Sequence, residues 1–381
     1  MKLDDETDGE VIYVPDTFKA ETGALLTEDL LVSKELAGGA QGVIYELNGP
    51  DGSETKKLLK VLKMKTVTAA IGAEVGLKRE WLIGVRLNKL RGPDGELEGF
   101  MGTGAALMRR DGGVEGLVLE KVNGLPLDKR LWKDEKWADA SYTMALLKQV
   151  FSSLDRAYLA LGYVHRDMRI SNIMEHRGST PYIPKGYKKE DKKKKKNQKP
   201  VMLLRGDSRP RELVFKIIDN GHARLLGAGH ILPEAALIEK IYRRFFKGKG
   251  DVWRLLQDLS DAIDGRTWAS EAEEDVKLIL ALIETVTGVK LNAYFAPVSG
   301  NGDVAEGLSS QGFMWQRADG FGHAVRRFVI RIRAYLWPRQ TQYTPRQALD
   351  FLEAQRPVVK ARVEERRQEH RESYHGGGRT L

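Results

Sequence analysis

The chain contains no cysteine. That excludes disulfides and thiolate metal sites and fits a reducing compartment, so an intracellular protein, cytoplasmic or nuclear, is expected. No apolar run reaches the ~18 residues a membrane helix needs, so no membrane span is expected. The opening MKLDDETDGE is acidic and lacks an apolar core. It predicts neither a signal peptide nor an Arg-rich transit peptide. P-loop, GxSxG and HExxH patterns are missing, and no long internal repeat is visible.

What is there is a soluble, globular composition. The 381 residues are 41% hydrophobic and 30% charged, enough for a large core and two or three structural units. The net charge of +9 is uneven: residues 186–199, GYKKEDKKKKKNQK, hold eight lysines against two acids. Without that run the chain is close to neutral, so no specific nucleic-acid binding is expected. The run reads first as a solvated loop, with an acidic partner or an import receptor as the functional alternative.

Hydrophobic periodicity divides the chain. Residues 1–27 are polar and predict an extended lead-in. From LLVSKELAGGAQGVIYEL (30–47) through KKLLKVLK (56–63), short β-type runs alternate with turn residues, NGPDG (48–52) among them. A helix is expected over about 69–90, then a hairpin ending in GLVLEKVNG (116–124). After Asn123 the pattern turns helical, with apolar residues three to four apart in 141–162, 251–263, 271–288, 322–337 and 344–355. Residues 176–212, rich in Lys, Pro and Gly, read as an inserted loop. Residues 357–381 form a charged tail, expected as a frayed helix.

Chemistry is concentrated in YVHRDMRISNIM (163–174), where His165, Arg166 and Asp167 stand together and Asn172 follows. In ELVFKIIDNGHARLL (212–226) a strand runs into Asp219, Asn220 and Gly221. An acid leaving a strand beside a glycine turn suits Mg²⁺, which takes oxygen donors and usually only one or two from protein. Asn172 could supply a second, and Asp167 could take a proton from an incoming hydroxyl. That is the division of labour in phosphoryl transfer.

On these residues the chain resembles the eukaryotic protein kinase family, over roughly residues 30–355 and in the family's order. HRDMRISN is similar to the catalytic loop H-R-D-x-x-x-x-N, and DNG stands where the family has D-F-G. The resemblance implies an α+β, two-lobed fold, with a β-rich lobe over 28–123 that binds ATP and a mainly helical catalytic lobe over 124–356. LAGGAQGVIY (36–45) resembles the Gly-rich loop, which would bring Gly38, Gly39, Gly42 and Ile44 to the nucleotide. LLKVLK (58–63) supplies Lys60 for the phosphates. KREWLIGVRL (78–87) supplies Glu80 to hold that lysine. Glu74 is its rival on the same helix, and Glu80 is favoured because Ile83 and Leu87 follow at core-facing spacing. LVLEKVNG (117–124) resembles the hinge, with Leu119, Glu120 and Val122 at adenine. Asp167 would be the base with Arg169 beside it, and Asn172 and Asp219 would hold Mg²⁺. GDVW (250–253) resembles the start of the central helix of the large lobe.

The pattern departs from the family in several places. Ala37 replaces the first loop glycine, Gln41 the aromatic at the loop tip, Arg169 a common lysine and Asn220 the Phe of D-F-G. LPE (232–234) or LIE (237–239) stands for A-P-E. Between Asp219 and Glu234 there is no Ser, Thr or Tyr to phosphorylate. His222 and His230 read as surface or packing residues. The expected function is ATP-dependent phosphorylation of a protein hydroxyl, Ser or Thr. A small-molecule kinase on the same fold and a nucleotide-binding pseudokinase scaffold stay open.

Overall fold

A computed structural model describes residues 9–38, 42–62, 67–92, 97–133, 139–177, 213–226, 249–295 and 343–376. The chain is α+β, with a β-rich N-terminal region and a helical C-terminal part, as expected. It divides into two compact units. Met1–Leu127, Ser153–Tyr182 and Arg209–Gly248 form the first, and Asp128–Ser152, Ile183–Ser208 and Lys249–Leu381 the second.

The first unit is built on a seven-stranded sheet. Its strands are β1 (Val11–Tyr13), β2 (Leu25–Thr27), β3 (Leu30–Gly38), β4 (Gly42–Asn48), β5 (Glu54–Leu62), β6 (Thr103–Met108) and β7 (Val114–Glu120), in the order β1-β6-β7-β5-β4-β3-β2. Only β1 runs parallel to its neighbour. The NGPDG turn joins β4 to β5, with Gly49 N donating to Ser53 O at 2.8 Å. Gly52 there has φ 83°, open to glycine and strained for other residues.

Strand alternation gives the sheet two apolar faces. Leu59 and Val61 of β5, Val118 of β7 and Leu107 of β6 join one cluster with Val32, Val43 and Leu47. Their sequence neighbours Leu58, Leu117, Leu119, Ala106 and Met108 join the other, where α1 (Val67–Asn88) lays down Leu77 and Trp81. Lys60 falls in the Leu58 alternation, toward α1. Residues 11–27 of the segment expected as an extended lead-in are part of this architecture. β1 and β2 belong to the sheet, Val14 is buried, and Ile12, Phe18, Ala20 and Ala24 pack on the face away from α1.

After α2 (Leu127–Lys133) and α3 (Ala140–Leu161), β8 (Tyr163–Val164) pairs with β11 (Arg224–Leu225). β9 (Ile173–Arg177) and β10 (Leu213–Ile217) pair antiparallel from Ile173↔Ile217 to Arg177↔Leu213. This is the hairpin that the sequence reading interrupts with an insertion, most of which lies outside the described residues. The expected helix over 322–337, the segment 227–248 with LPE and LIE, and Gly39 also lie outside them.

In the second unit, α4 (Gly250–Ile263) and α5 (Glu273–Thr287) follow the helical pattern closely, and β12 (Arg266–Trp268) pairs parallel with β13 (Ala293–Phe295). The last helix, α6 (Pro345–Gly376), is much longer than the apolar pattern suggests. A sparse stripe of Ala348, Leu352, Val359 and Val363 is buried along it. Arg356 donates to Glu274 at 3.3 Å and to Asp275 at 3.0 Å, and Arg366 to Glu273 at 2.8 Å. All three acids lie in the first turn of α5. The segment expected as a frayed helix is helical as far as Gly376, secured by a thin apolar seam and arginine pairs.

Candidate active site

All of the site described here lies within the first unit. β5 presents Lys60 on the α1 side of the sheet, opposite Ile44 of β4 and Leu117 of β7. On α1 the buried positions Leu77, Trp81, Ile83 and Leu87 fix the helix rotation, and that rotation turns Glu80 inward to 3% exposure. Lys60 Nζ donates to Glu80 Oε2 at 2.7 Å and to Asp219 Oδ1 at 3.2 Å. Glu74 has no described side chain, so Glu80 is the partner among the described residues.

The ionisation of this trio follows from its geometry. Burial works against the Lys60 ammonium, but Glu80 and Asp219 outweigh it and hold its pKa above the ordinary lysine value. Burial raises the Glu80 carboxyl, with Lys60 opposing. Asp219 also loses solvation, yet Lys60 first and His165 second keep it below the usual aspartate value. Lys60 therefore stays cationic through the whole neutral range.

The second group sits on the loop between β8 and β9. Arg169 Nη2 donates to Asp167 Oδ2 at 2.6 Å. Asn172 Nδ2 donates to Asp167 O at 2.8 Å and to Oδ2 at 3.3 Å. Those bonds turn the Asn172 amide oxygen away from Asp167. His165 is fully buried and ties the loop together. Asp167 N donates to His165 Nδ1 at 3.3 Å, and Nε2 faces Ile218 O at 3.1 Å. Ile218 N donates in turn to Asn172 O at 2.9 Å. The loop is thereby bonded to the residue just before Asp219.

Two residues here take backbone angles that side chains disfavour. Arg166 has φ 67° and Asp219 φ 62°. Left-handed non-glycine residues persist where the surroundings hold them, and they gather at functional sites.

The other expected site residues fall into place unevenly. Gly38 and Gly42 end β3 and β4 at the loop. A Cβ on Gly42 would lie 2.5 Å from Val61 O, so glycine is required there. Leu119 and Val122 are buried against Leu77 and Trp81 and offer little side-chain surface to a ligand. Glu120 is committed inward: its N–H donates to Gly102 O at 2.9 Å, its Oε2 accepts from Gly102 N at 2.8 Å, and its Oε1 pairs with buried Lys216. Sequence reasoning missed Lys216 and also Tyr163, whose hydroxyl donates to Asn220 Oδ1 at 2.7 Å. The available signal was a polar residue, Asn220, in an otherwise apolar position.

No protein-family model matches the chain, and no curated protein matches it. Among solved structures, the chain is similar to a crystal structure of a point mutant of the PknI kinase domain of Mycobacterium tuberculosis. The identity is 16% over 65% of this chain and 79% of that one, with a TM-score of 0.38. At that similarity nothing about activity transfers from one chain to the other.

Proposed function

We propose that this chain is a protein kinase that moves the γ-phosphate of ATP to a Ser or Thr hydroxyl of a protein. The observation that carries the reading is the contact of Lys60 with both Glu80 and Asp219, beside an Asp167 carboxylate fixed by Arg169 and Asn172. A buried acid clamps a permanent cation. That cation meets an acid whose side chain is still 34% exposed and so can reach a ligand.

The residues fit ATP and magnesium. Asp219 offers a carboxylate and Asn172 an amide oxygen, the small all-oxygen set that Mg²⁺ takes when phosphates complete its shell. When bound, the metal neutralises charge on the transferring phosphoryl group. Glu80 keeps Lys60 in one rotamer, and Lys60 gives its ammonium to the phosphate oxygens. Asp167 accepts the proton of the acceptor hydroxyl as that oxygen bonds to phosphorus and the bond to the ADP oxygen breaks. Arg169 and Asn172 hold the Asp167 carboxylate in one plane while this happens. The backbone near Val122 is left to meet adenine, since the Glu120 N–H is already used. Positioning and fixed charge would supply most of the rate gain.

The test offers γ-labelled ATP and magnesium to the full chain, with generic protein acceptors and a metabolite panel. Label on Ser or Thr of proteins is the expected result. Label only in metabolites would make this a small-molecule kinase, and nucleotide binding without transfer a pseudokinase.

A further inference from the structure

Three consecutive residues after β10 are each held by a different element. Asp219 accepts from Lys60 of β5 at 3.2 Å, Asn220 from Tyr163 of β8 at 2.7 Å, and Gly221 O from Arg79 Nη1 of α1 at 3.4 Å. The middle contact is the unusual one. Asn220 is 2% exposed and opens the short 3-10 turn Asn220–His222, with Asp219 just before it at φ 62°, ψ 73°.

Tyr163 is a fixed point from which to hold that turn. Its ring is 2% exposed and meets Phe100 edge-on, with centroids 5.4 Å apart at 83°. Its backbone pairs with Leu225 across β8 and β11, on the far side of the turn. Phe100 is bridged to Ile217, at the near side. The phenol therefore stands on a frame that contacts the chain both before and after Asn220. An apolar contact at Asn220 would tolerate sliding, whereas a buried hydrogen bond is directional and leaves an unsatisfied group if the turn moves.

We infer that Tyr163 is a positioning residue: its bond to Asn220 locks the turn so that Asp219 stays in its left-handed conformation, facing Lys60, without any signal to put it there. The functional consequence rests on the reading of Asp219 as a ligand of the nucleotide's metal. The lock itself does not.

The test is a double-mutant cycle in the full chain, with Tyr163→Phe and Asn220→Leu removing the same bond from its two ends. Amide hydrogen exchange of peptides covering 213–226 should speed up about tenfold in each single variant, while peptides from β3 to β5 stay within about twofold of the parent. The double variant should be no worse than either single, because the bond is lost only once. Tyr163→Phe should also raise the magnesium concentration for half-maximal transfer about tenfold, with the rate at saturating magnesium within about threefold. A purely structural role would not produce that split. Unchanged exchange in 213–226, or additive effects in the double variant, would overturn the lock. If one single variant fails to fold, the exchange of the other decides. If the parent chain transfers no phosphate, the functional reading falls, while the exchange cycle still tests the lock.

Discussion

Lys60 and Asp219 are 159 positions apart in the chain, yet Lys60 Nζ lies 3.2 Å from Asp219 Oδ1. The same ammonium reaches Glu80 on α1. One cation thus joins the central strand of the sheet, the helix laid over it and the turn after β10. Its removal should affect stability and chemistry in separable ways.

Lys60→Met leaves Glu80 as a buried carboxylate without its cation. Breaking such a pair by deleting one partner costs about 3–5 kcal/mol, whereas replacing both by apolar groups is close to neutral. Thermal unfolding should show a large loss for Lys60→Met and a partial recovery in Lys60→Met/Glu80→Leu. Neither variant should transfer phosphate. A double variant less stable than the single would contradict the buried-pair account.

Arg169 tests positioning apart from folding. Its side chain is 42% exposed, so its ion pair with Asp167 adds little stability, under about 1 kcal/mol. Arg169→Ala should leave the melting temperature nearly unchanged and ATP affinity within about twofold. The transfer rate should fall by about tenfold or more, up to the ~10²–10⁴-fold that a positioned acid–base group contributes.

The loop that holds Asp167 and Asn172, and the placing of Asp219 at a strand end, were legible in the sequence because their information is local. HRD and Asn172 lie within a single loop, and Asp219 ends a strand with clear β character. The alternation that sends Leu58 and Lys60 to one face and Leu59 and Val61 to the other was equally readable. Long-range polar bonds were not. Nothing in the spacing of Tyr163 and Asn220, or of Glu120 and Lys216, says that these side chains meet. The role of residues 11–27 was hidden because Ile12, Val14, Phe18 and Ala20, though an even number of positions apart, are interrupted by Pro15, Asp16, Thr17 and Lys19 and make no continuous strand pattern. Helix α6 was legible as a helix over 344–355 and as a frayed helix beyond; its buried stripe was not, because it has few members and charged residues outnumber them.

That stripe can be tested within α6. Val363 is 2% exposed and Val358 is 41% exposed. Val363→Asp buries an unpaired carboxylate and should cost about 2 kcal/mol or more, while Val358→Asp should stay within about 0.5 kcal/mol. Chemical denaturation of the full chain reads both. Equal effects would mean that the helix does not pack through this seam.

Glu46 carries a pH signature. The hydrogen bond from Lys121 lowers its pKa below the usual glutamate value, against the opposing effect of burial, and Lys34 adds to the lowering. Lys121 is raised in return by Glu46 and Glu54. A carboxylate depressed in the folded state contributes stability fully above its unfolded value of 4.5 and loses it as pH falls through the folded value. A raised lysine contributes fully below 10.5 and loses its share above. The melting-temperature gap between the parent chain and Glu46→Gln should be widest between those limits and shrink in acid. A gap that grows below pH 4 would contradict the pairing.

The most direct test compares Asp167→Asn with the parent chain, measuring label transfer from γ-labelled ATP to protein and ATP affinity on the same preparations. The substitution keeps the shape of the side chain and removes the charge that, under the proposed function, accepts the hydroxyl proton. Transfer should fall at least about 100-fold, with ATP affinity within about twofold, because the proposed role of Asp167 is toward the acceptor and not the nucleotide. Undiminished transfer by Asp167→Asn would contradict the account.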